Sequence, residues 1–299
     1  MKSNEFILES KRGYLKGDFE LFHLKDRKNT EFEYHYHDFS KIIVFISGRV
    51  TYLIEGKAYK LKPWDILLVS SKEIHRPIID STVPYERVVI WVNPTFLERH
   101  STEDCNLSAC FTLAADNNCN VLRLDPEILR GLRAVLSQLE EACKGSEFGS
   151  RILKNSLFMQ LIVSINRRVL EAKTDKVMKD IEYDERINKI LEYVNQNLSE
   201  ELSIDAIAAK HYLSKYYLMH KFKQQTGYSI HNYILQKRLI EANFQIKKGK
   251  PASEVCAACG FNDYSSFVRA FKKMFGLSPR NYYKSLLQLE NTNKQERHF

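Results

Sequence analysis

The sequence predicts an α+β chain of two domains: a β-barrel with flanking helices, then an all-α unit made of a repeated helix pair joined by one long helix. Three observations carry that expectation. Short extended runs fill the stretch from Phe19 to Val92, two amphipathic helical patterns follow between Leu129 and Val169, and a self-similar segment recurs after residue 200. A length of 299 residues leaves room for about two domains.

In the first stretch, Ile42–Ile46, Val50–Ile54 and Ile66–Val69 are rich in β-branched and aromatic residues, and Ser47-Gly48, Glu55-Gly56, Pro63 and Pro77 punctuate them. Many short strands at regular spacing predict a sandwich or barrel. Residues 100–120 read as loop. Leu129, Leu132, Leu136, Leu139 and Cys143 then recur at steps of three and four, one continuous helical stripe. The next helix, about 147–170, is apolar over a wider arc: Leu153, Leu157, Phe158, Leu161, Ile162, Ile165 and Val169. One stripe can pack on the barrel. The surplus is read as a homodimer interface, against the alternative of packing within the chain. Residues 1–17 are a candidate arm over the barrel mouth. The charged segment 173–183 is read as a linker between an N-terminal domain, 1–172, and a C-terminal one, 184–289.

The last third carries the decisive pattern. Phe222-Lys223-Gln224-Gln225-Thr226-Gly227 matches Phe271-Lys272-Lys273-Met274-Phe275-Gly276 at an offset of 49, and Asn232-Tyr233 matches Asn281-Tyr282. Upstream, Ile207-Ala208 pairs with Val255-Cys256 and Leu213-Ser214 with Phe261-Asn262, at an offset of 48. Each copy reads as helix, tight turn, helix. Ser203 and Ser214 are the expected caps in the first copy and Asn262 in the second, with Gly227 and Gly276 as helix ends. Between the copies, Ser229–Lys247 reads as a helix with Leu235, Leu239, Ala242 and Ile246 on one stripe. Its length of about 28 Å compares with the roughly 34 Å between successive major-groove faces of DNA.

Charge placement agrees with a polyanionic partner for this third. Residues 202–289 hold 14 Lys/Arg against 4 Asp/Glu, whereas residues 1–201 hold 29 against 31. No apolar run approaches the roughly 20 residues that cross a bilayer. Met1–Lys11 lacks the apolar core of a signal peptide, so the cytoplasm is the expected compartment. The six cysteines are expected to be reduced and structural, Cys256-x-x-Cys259 included, because it falls within a helix.

Residues 184–284 resemble the DNA-binding region of the AraC/XylS family of bacterial transcription regulators. The resemblance rests on Leu213-Ser214, Leu218, Phe222-Lys223, Gly227, Arg238-Leu239, Ala242, Gly260-Phe261, Phe267, Arg269, Phe271-Lys272, Gly276, Ser278-Pro279 and Tyr282. His220, Lys221, Ala252, Cys256 and Tyr283 depart from the family's usual residues, which bears on base preference rather than fold. The resemblance implies two helix-turn-helix units on double-stranded DNA. With Leu218 and Phe222 inward, Tyr216, Met219 and His220 face outward on the first reading helix. With Phe267 and Phe271 inward, Tyr264, Ser265, Val268 and Arg269 do so on the second. These are the expected base contacts, Arg269 suiting a guanine through two hydrogen bonds. Lys215, Lys223, Lys237, Lys248, Lys250 and Lys272 are assigned to phosphates. RNA polymerase is a further partner that the resemblance brings in; activator is the working assignment, with repression left open.

The strands at 19–92 resemble a cupin barrel, through His35-x-His37, Gly48, Gly56, Pro63 and His75 in cupin order. Cupin enzymes hold a metal with two close histidines, a glutamate a few residues on, and a distant histidine. Lys41 stands in the glutamate's place, and an ammonium repels a divalent cation. No metal, cofactor or catalytic residue is therefore expected. The favoured reading makes His35, His37, Lys41, Phe45, His75 and Trp91 a pocket for a small effector, a sugar or similar polyol. Its alternatives are half-buried histidines with no ligand and a cupin-type metalloenzyme fused to a DNA-binding tail.

Overall fold

A computed structural model describes residues 15, 17–27, 34–117, 119–171 and 181–295. Residues proposed as an arm over the barrel, and most of the 173–183 linker, lie outside the described residues. Two compact units divide the chain, one ending at Glu182 and one running from Tyr183 onward.

The first unit contains β1 (Phe19–Asp26), β2 (Ser40–Ser47), β3 (Val50–Ile54), β4 (Lys57–Lys60), β5 (Ile66–Val69), β6 (His75–Ile79) and β7 (Tyr85–Val92). After these come α1 (Pro94–His100), α2 (Ala109–Asp116), β8 (Val121–Leu122), α3 (Pro126–Lys144), α4 (Ser150–Glu171) and β9 (Ile181–Glu182). One sheet has the order β1-β7-β2-β5-β8 and the other β6-β3-β4-β9. The pairings are antiparallel. The five-stranded sheet is covered on both faces, which explains its central strand. Ile42 and Val44 pack with Phe158 and Leu161 on the helical side. Ile43 and Phe45 pack with Tyr52 and Tyr59 on the side of the other sheet. A strand buried on both faces reads as an unbroken apolar run instead of an alternation.

Three expectations for this unit need correction. The stretch 100–120 is not all loop, because Cys110, Phe111 and Ala114 of α2 are buried in the core. Asn166 ties α2 to α4, accepting from the Cys110 N–H at 2.7 Å and donating to the Leu107 carbonyl at 2.9 Å. Second, most of the wide apolar arc on α4 is filled from within: Leu157, Phe158, Leu161, Ile162 and Ile165 are buried. Phe148, Ile152, Leu153 and Leu170 remain the exposed apolar side chains on and beside that helix. Finally, the end of the linker is a strand, since β9 pairs with β4 through Ala58 and Tyr59.

The second unit comprises α5 (Glu185–Gln196), α6 (Ile204–Lys210), α7 (Lys215–Thr226), α8 (Ile230–Lys247), α9 (Ala252–Ala258), α10 (Tyr264–Phe275) and α11 (Pro279–Gln295). The long α8 is its axis, packed by α7, α9, α10 and α11. Neighbours on several sides bury Tyr233, Ile234, Ile240 and Asn243 as well as Leu239, Ala242 and Ile246, while Leu235 is only half-buried. The single stripe expected for α8 is therefore too narrow. Helix α11 continues past the expected domain end at 289. Among the described residues, no helix is long and apolar enough to cross a membrane.

Candidate nucleic-acid interface and barrel site

Each copy of the repeat folds as a short helix, a turn and a reading helix. Helix α6 is capped by Ser203, which accepts from the Ala206 N–H at 3.1 Å, and α7 by Ser214, which accepts from the Tyr217 N–H at 3.2 Å. Helix α10 is capped by Asp263, not Asn262: its carboxylate accepts from the Ser266 N–H at 2.6 Å. The equivalent turn bonds, Leu213 N–H to Ala208 and Phe261 N–H to Cys256, keep the two copies in step through Phe261. Asn262 is thus the inserted residue, and Asp263 is the counterpart of Ser214.

Turn geometry demands a left-handed residue in both copies. Gly260 supplies it at φ +74° in the second, and Tyr212 adopts φ +55° in the first. At Gly260 an added Cβ would stand 2.4 Å from the Leu198 carbonyl oxygen. Arg238 reaches the same place from α8, donating to the Leu198 carbonyl at 2.8 Å and the Glu200 carbonyl at 2.6 Å. In the sequence, Arg238 stands out only as part of a resemblance. Here it ties α8 to the segment that follows α5, and Gly260 lies against both.

The reading helices point their side chains as the spacing predicts. Leu218, Phe222, Phe267 and Phe271 are each fully buried. Tyr216, Met219, His220, Tyr264, Ser265 and Arg269 are exposed, and Val268 is half-buried. Tyr216 and His220 stack one turn apart, ring centroids 6.2 Å from each other. Arg269 donates to the Ser266 hydroxyl at 3.1 Å. Of the six lysines assigned to phosphate, Lys215, Lys223, Lys248, Lys250 and Lys272 are exposed. Lys215 is paired with Asp205 at 2.9 Å, Lys248 lies 4.3 Å from the Phe244 ring centroid, and Lys237 is half-buried. Cys256 on α9 and Cys259 at its end are free and buried. Burial pushes the Cys259 thiol up to about 12, so it stays protonated.

In the first unit, His35, His37 and His75 converge, with ring nitrogens within 4.8 Å of one another. A bridge between His35 and His75 joins the segment ahead of β2 to β6, with N–H to carbonyl bonds of 3.1 and 2.9 Å. Lys41 enters from β2, its Nζ 3.3 Å from His75 Nε2. The His75 ring is fixed from behind: its Nδ1 lies 2.9 Å from the Glu73 carbonyl and must donate to it, which turns the Nε2 lone pair toward Lys41. Trp91 stands opposite Lys41 on β7 and stacks on Phe39 at 4.7 Å, and Phe39 stacks on His37 at 4.6 Å. Phe45, four residues along β2, packs instead on Tyr85 at 6.0 Å. Five of the six predicted effector residues therefore gather, and Phe45 stands apart from them.

Burial governs the electrostatics. Lys41 is 7% exposed and its value falls from 10.5 to about 7. His75 is lowered well below the usual imidazole value by burial, then by Lys41, His35 and His37. Between about pH 7 and 10.5 the native barrel binds fewer protons at Lys41 than the unfolded chain does. The burial penalty is thus fully present below pH 7 and fades as pH rises through that window. Three histidines are a familiar metal donor set, but this arrangement does not suit a dication. The charged groups acting on His75 are all bases, and the fourth side chain donates to the nitrogen a metal would need.

Comparison with known proteins matches this organisation. A family profile described as an AraC-like ligand binding domain covers residues 19–162, and one described as a helix-turn-helix domain covers 207–285. The chain is similar to the HTH-type transcriptional activator RhaS of Escherichia fergusonii, 25% identical over 255 residues, 83% of this chain and 86% of that protein. It is also similar to the probable transcriptional regulator LumQ of Photobacterium leiognathi, 26% identical over 252 residues, 83% of this chain and 91% of that one. Among solved structures, an AraC-type transcriptional regulator from Chromobacterium violaceum is 27% identical, covering 33% of this chain and 90% of that one with a TM-score of 0.32. With the AraC-like ligand-binding domain ahead of the helix-turn-helix domain, as the two profiles place them, the chain belongs to the AraC family and is a ligand-modulated transcription factor.

Proposed function

We propose that this regulator reads promoter DNA with α7 and α10 in adjacent major grooves, and that a small molecule in the barrel modulates it. The observation that carries the reading is the repeat. It places two outward faces, Tyr216/Met219/His220 and Tyr264/Ser265/Val268/Arg269, on helices held by one connecting helix. Lys215, Lys223, Lys237, Lys248, Lys250 and Lys272 neutralise phosphates, which gives affinity without sequence choice. With about six phosphates neutralised, affinity for an upstream promoter fragment falls roughly a thousandfold between 50 and 200 mM salt. A salt series in a fluorescence-anisotropy titration checks this, and a flat response removes the phosphate assignment.

Two features of the barrel support a sensor in place of an enzyme. Among the described residues the metal-type cluster is made of His35, His37 and His75 with no carboxylate in it, and Lys41 takes the lone pair of His75. We assign the chain to a cytoplasmic homodimer that activates transcription by meeting RNA polymerase. The dimer surface is the exposed edge of α4, Ile152 and Leu153, because Leu157 and Leu161 are already covered within the unit. Ile152→Glu with Leu153→Glu gives monomers in analytical ultracentrifugation; an unchanged dimer mass moves the interface elsewhere.

A further inference from the structure

We propose that the barrel site takes a small carboxylate, seated between the Lys41 ammonium and the three histidines. The inference rests on the reading of the barrel as an effector site and changes the chemical class of effector from a neutral polyol to an anion.

The site is made of bases. Lys41 and His75 are 7% and 1% exposed, His37 is 8% exposed, and His35 closes the group from the rim. Of the acids nearest in sequence, Asp38 beside His37 is exposed, and Glu73 is turned to other work. Its carboxylate accepts from the Ser70 N–H at 2.6 Å and from Asn120 Nδ2 at 3.1 and 3.2 Å, and only its backbone carbonyl meets His75. A neutral nitrogen is a poor counterpart for a buried ammonium, so protonated Lys41 is strongly destabilised there. A carboxylate supplies the missing charge and accepts from Lys41 and from the imidazole N–H groups. Charge-assisted bonds of this kind are about twice as strong as neutral ones. The ring stack of His37, Phe39 and Trp91 on one side and Tyr52 against His75 on the other give the site aromatic walls. A neutral sugar leaves the ammonium uncompensated, and a dication adds to the positive charge.

The two alternatives differ from an anion in their pH dependence. Lys41 faces His75 on β6, with His35 and His37 beyond it from the segment ahead of β2; uncharged Val69 and Trp91 stand opposite it on β5 and β7, and Tyr52 of β3 lies across His75. Bound carboxylate raises the lysine's proton affinity, so each binding event above pH 7 takes up a proton. Affinity then falls by as much as about tenfold per pH unit above 7. Zinc binding strengthens with pH because protons compete for imidazole, and sugar binding is nearly flat.

The test is a set of calorimetric and melting titrations of the full chain with sodium acetate, glucuronate, glucose and zinc chloride at pH 6, 7 and 8.5, at constant ionic strength with sodium chloride. Carboxylate-specific binding is expected, weakening as pH rises and lost in Lys41→Met. Proton uptake by the wild type, read from the binding heat in two buffers of different ionisation heat, carries the test should that variant not fold. Three outcomes overturn the inference: no carboxylate-specific binding at pH 6, carboxylate binding that Lys41→Met retains, or zinc binding that tightens with pH. Glucose binding with a flat pH profile also overturns it while leaving an effector site standing. Carboxylate binding that never alters promoter affinity upholds the anion site and removes the effector reading instead.

Discussion

The two copies of the helix-turn-helix plan solve one geometric problem with different residues. In both, the chain must enter a left-handed conformation after the short helix and then cap a reading helix. The first copy uses an exposed tyrosine for the left-handed step and a neutral serine for the cap; the second uses glycine and aspartate, with one extra residue between. Exposure explains why the first solution is tolerated. Tyr212 is 97% exposed, so its side chain meets nothing and the cost is backbone strain alone. Gly260 lies against Leu198 and Arg238, where no side chain fits. The second copy is therefore locked to the body of its unit, and the first is the more replaceable.

The largest test of that difference is Gly260→Ala. The new Cβ meets the Leu198 carbonyl and the positive φ remains, so the second unit loses about 2–4 kcal/mol of stability. Hydrogen exchange should show α9 and α10 opening before α6 and α7. Equal loss in both copies would mean that they unfold as one piece.

A smaller effect separates reading from holding. Arg269 sits two residues from both Phe267 and Phe271, and so faces outward with an always-charged fork that nothing on the first reading helix matches. Arg269→Ala costs about 1–3 kcal/mol on the cognate site and relaxes preference at one base pair. Lys272→Ala weakens all sequences alike and lowers the salt slope by about one unit. Operators changed one base pair at a time, each at two salt concentrations, distinguish them. A uniform loss with Arg269→Ala would make it a phosphate or scaffold residue and move specificity to Tyr264, Ser265 and the first copy.

The caps come next. Ser214→Ala costs α7 about 1 kcal/mol at any pH. Asp263 is lowered below the ordinary carboxylate value, first by its hydrogen bonds with Ser266. Its contribution is present above the unfolded value and is lost as pH falls through the lowered one. Amide exchange of α10 should therefore rise below about pH 4, while that of α7 does not follow the same titration.

How far the sequence reached depended on whether a feature was periodic or a matter of contact. The buried faces of α7 and α10 were legible because Leu218/Phe222 and Phe267/Phe271 repeat at four-residue spacing on helices whose other face is wet. Asp263 was missed by one residue, because an offset of 48 fits through Phe261 and the insertion hides behind an Asn-Asp pair in which either residue can cap. Helix α2 reads as loop in the sequence because it is eight residues long and flanked by polar segments, and its burial is decided by Asn166 from 56 positions away. The arc on α4 looked like surplus because periodicity shows how wide an apolar face is but not how many neighbours cover it. In the barrel the residue types were readable and their convergence was not. That His75 presents a lone pair to Lys41 follows from a carbonyl at Glu73, and nothing in the residue spacing announces it.

The smallest predicted effect bears most directly on the comparison. If Tyr212 stays in the left-handed region only because the turn requires it, Tyr212→Gly relieves that strain. Glycine visits positive φ at no steric cost but loses more freedom on folding, and the two terms oppose each other. A strain of about 1–2 kcal/mol against an entropic cost of about 0.5–1 kcal/mol leaves a gain near 0.5 kcal/mol. The side chain is too exposed for lost packing to cancel that gain. Exchange of the α6 and α7 amides is the sensitive readout: protection should rise about twofold there and stay constant in α9 and α10. The Leu213 N–H to Ala208 bond, 2.9 Å, closes the turn around Tyr212 and is the amide that should respond most. A drop in its protection would show that the tyrosine is held by more than backbone geometry, and the first copy would then depend on its turn residue no less strictly than the second.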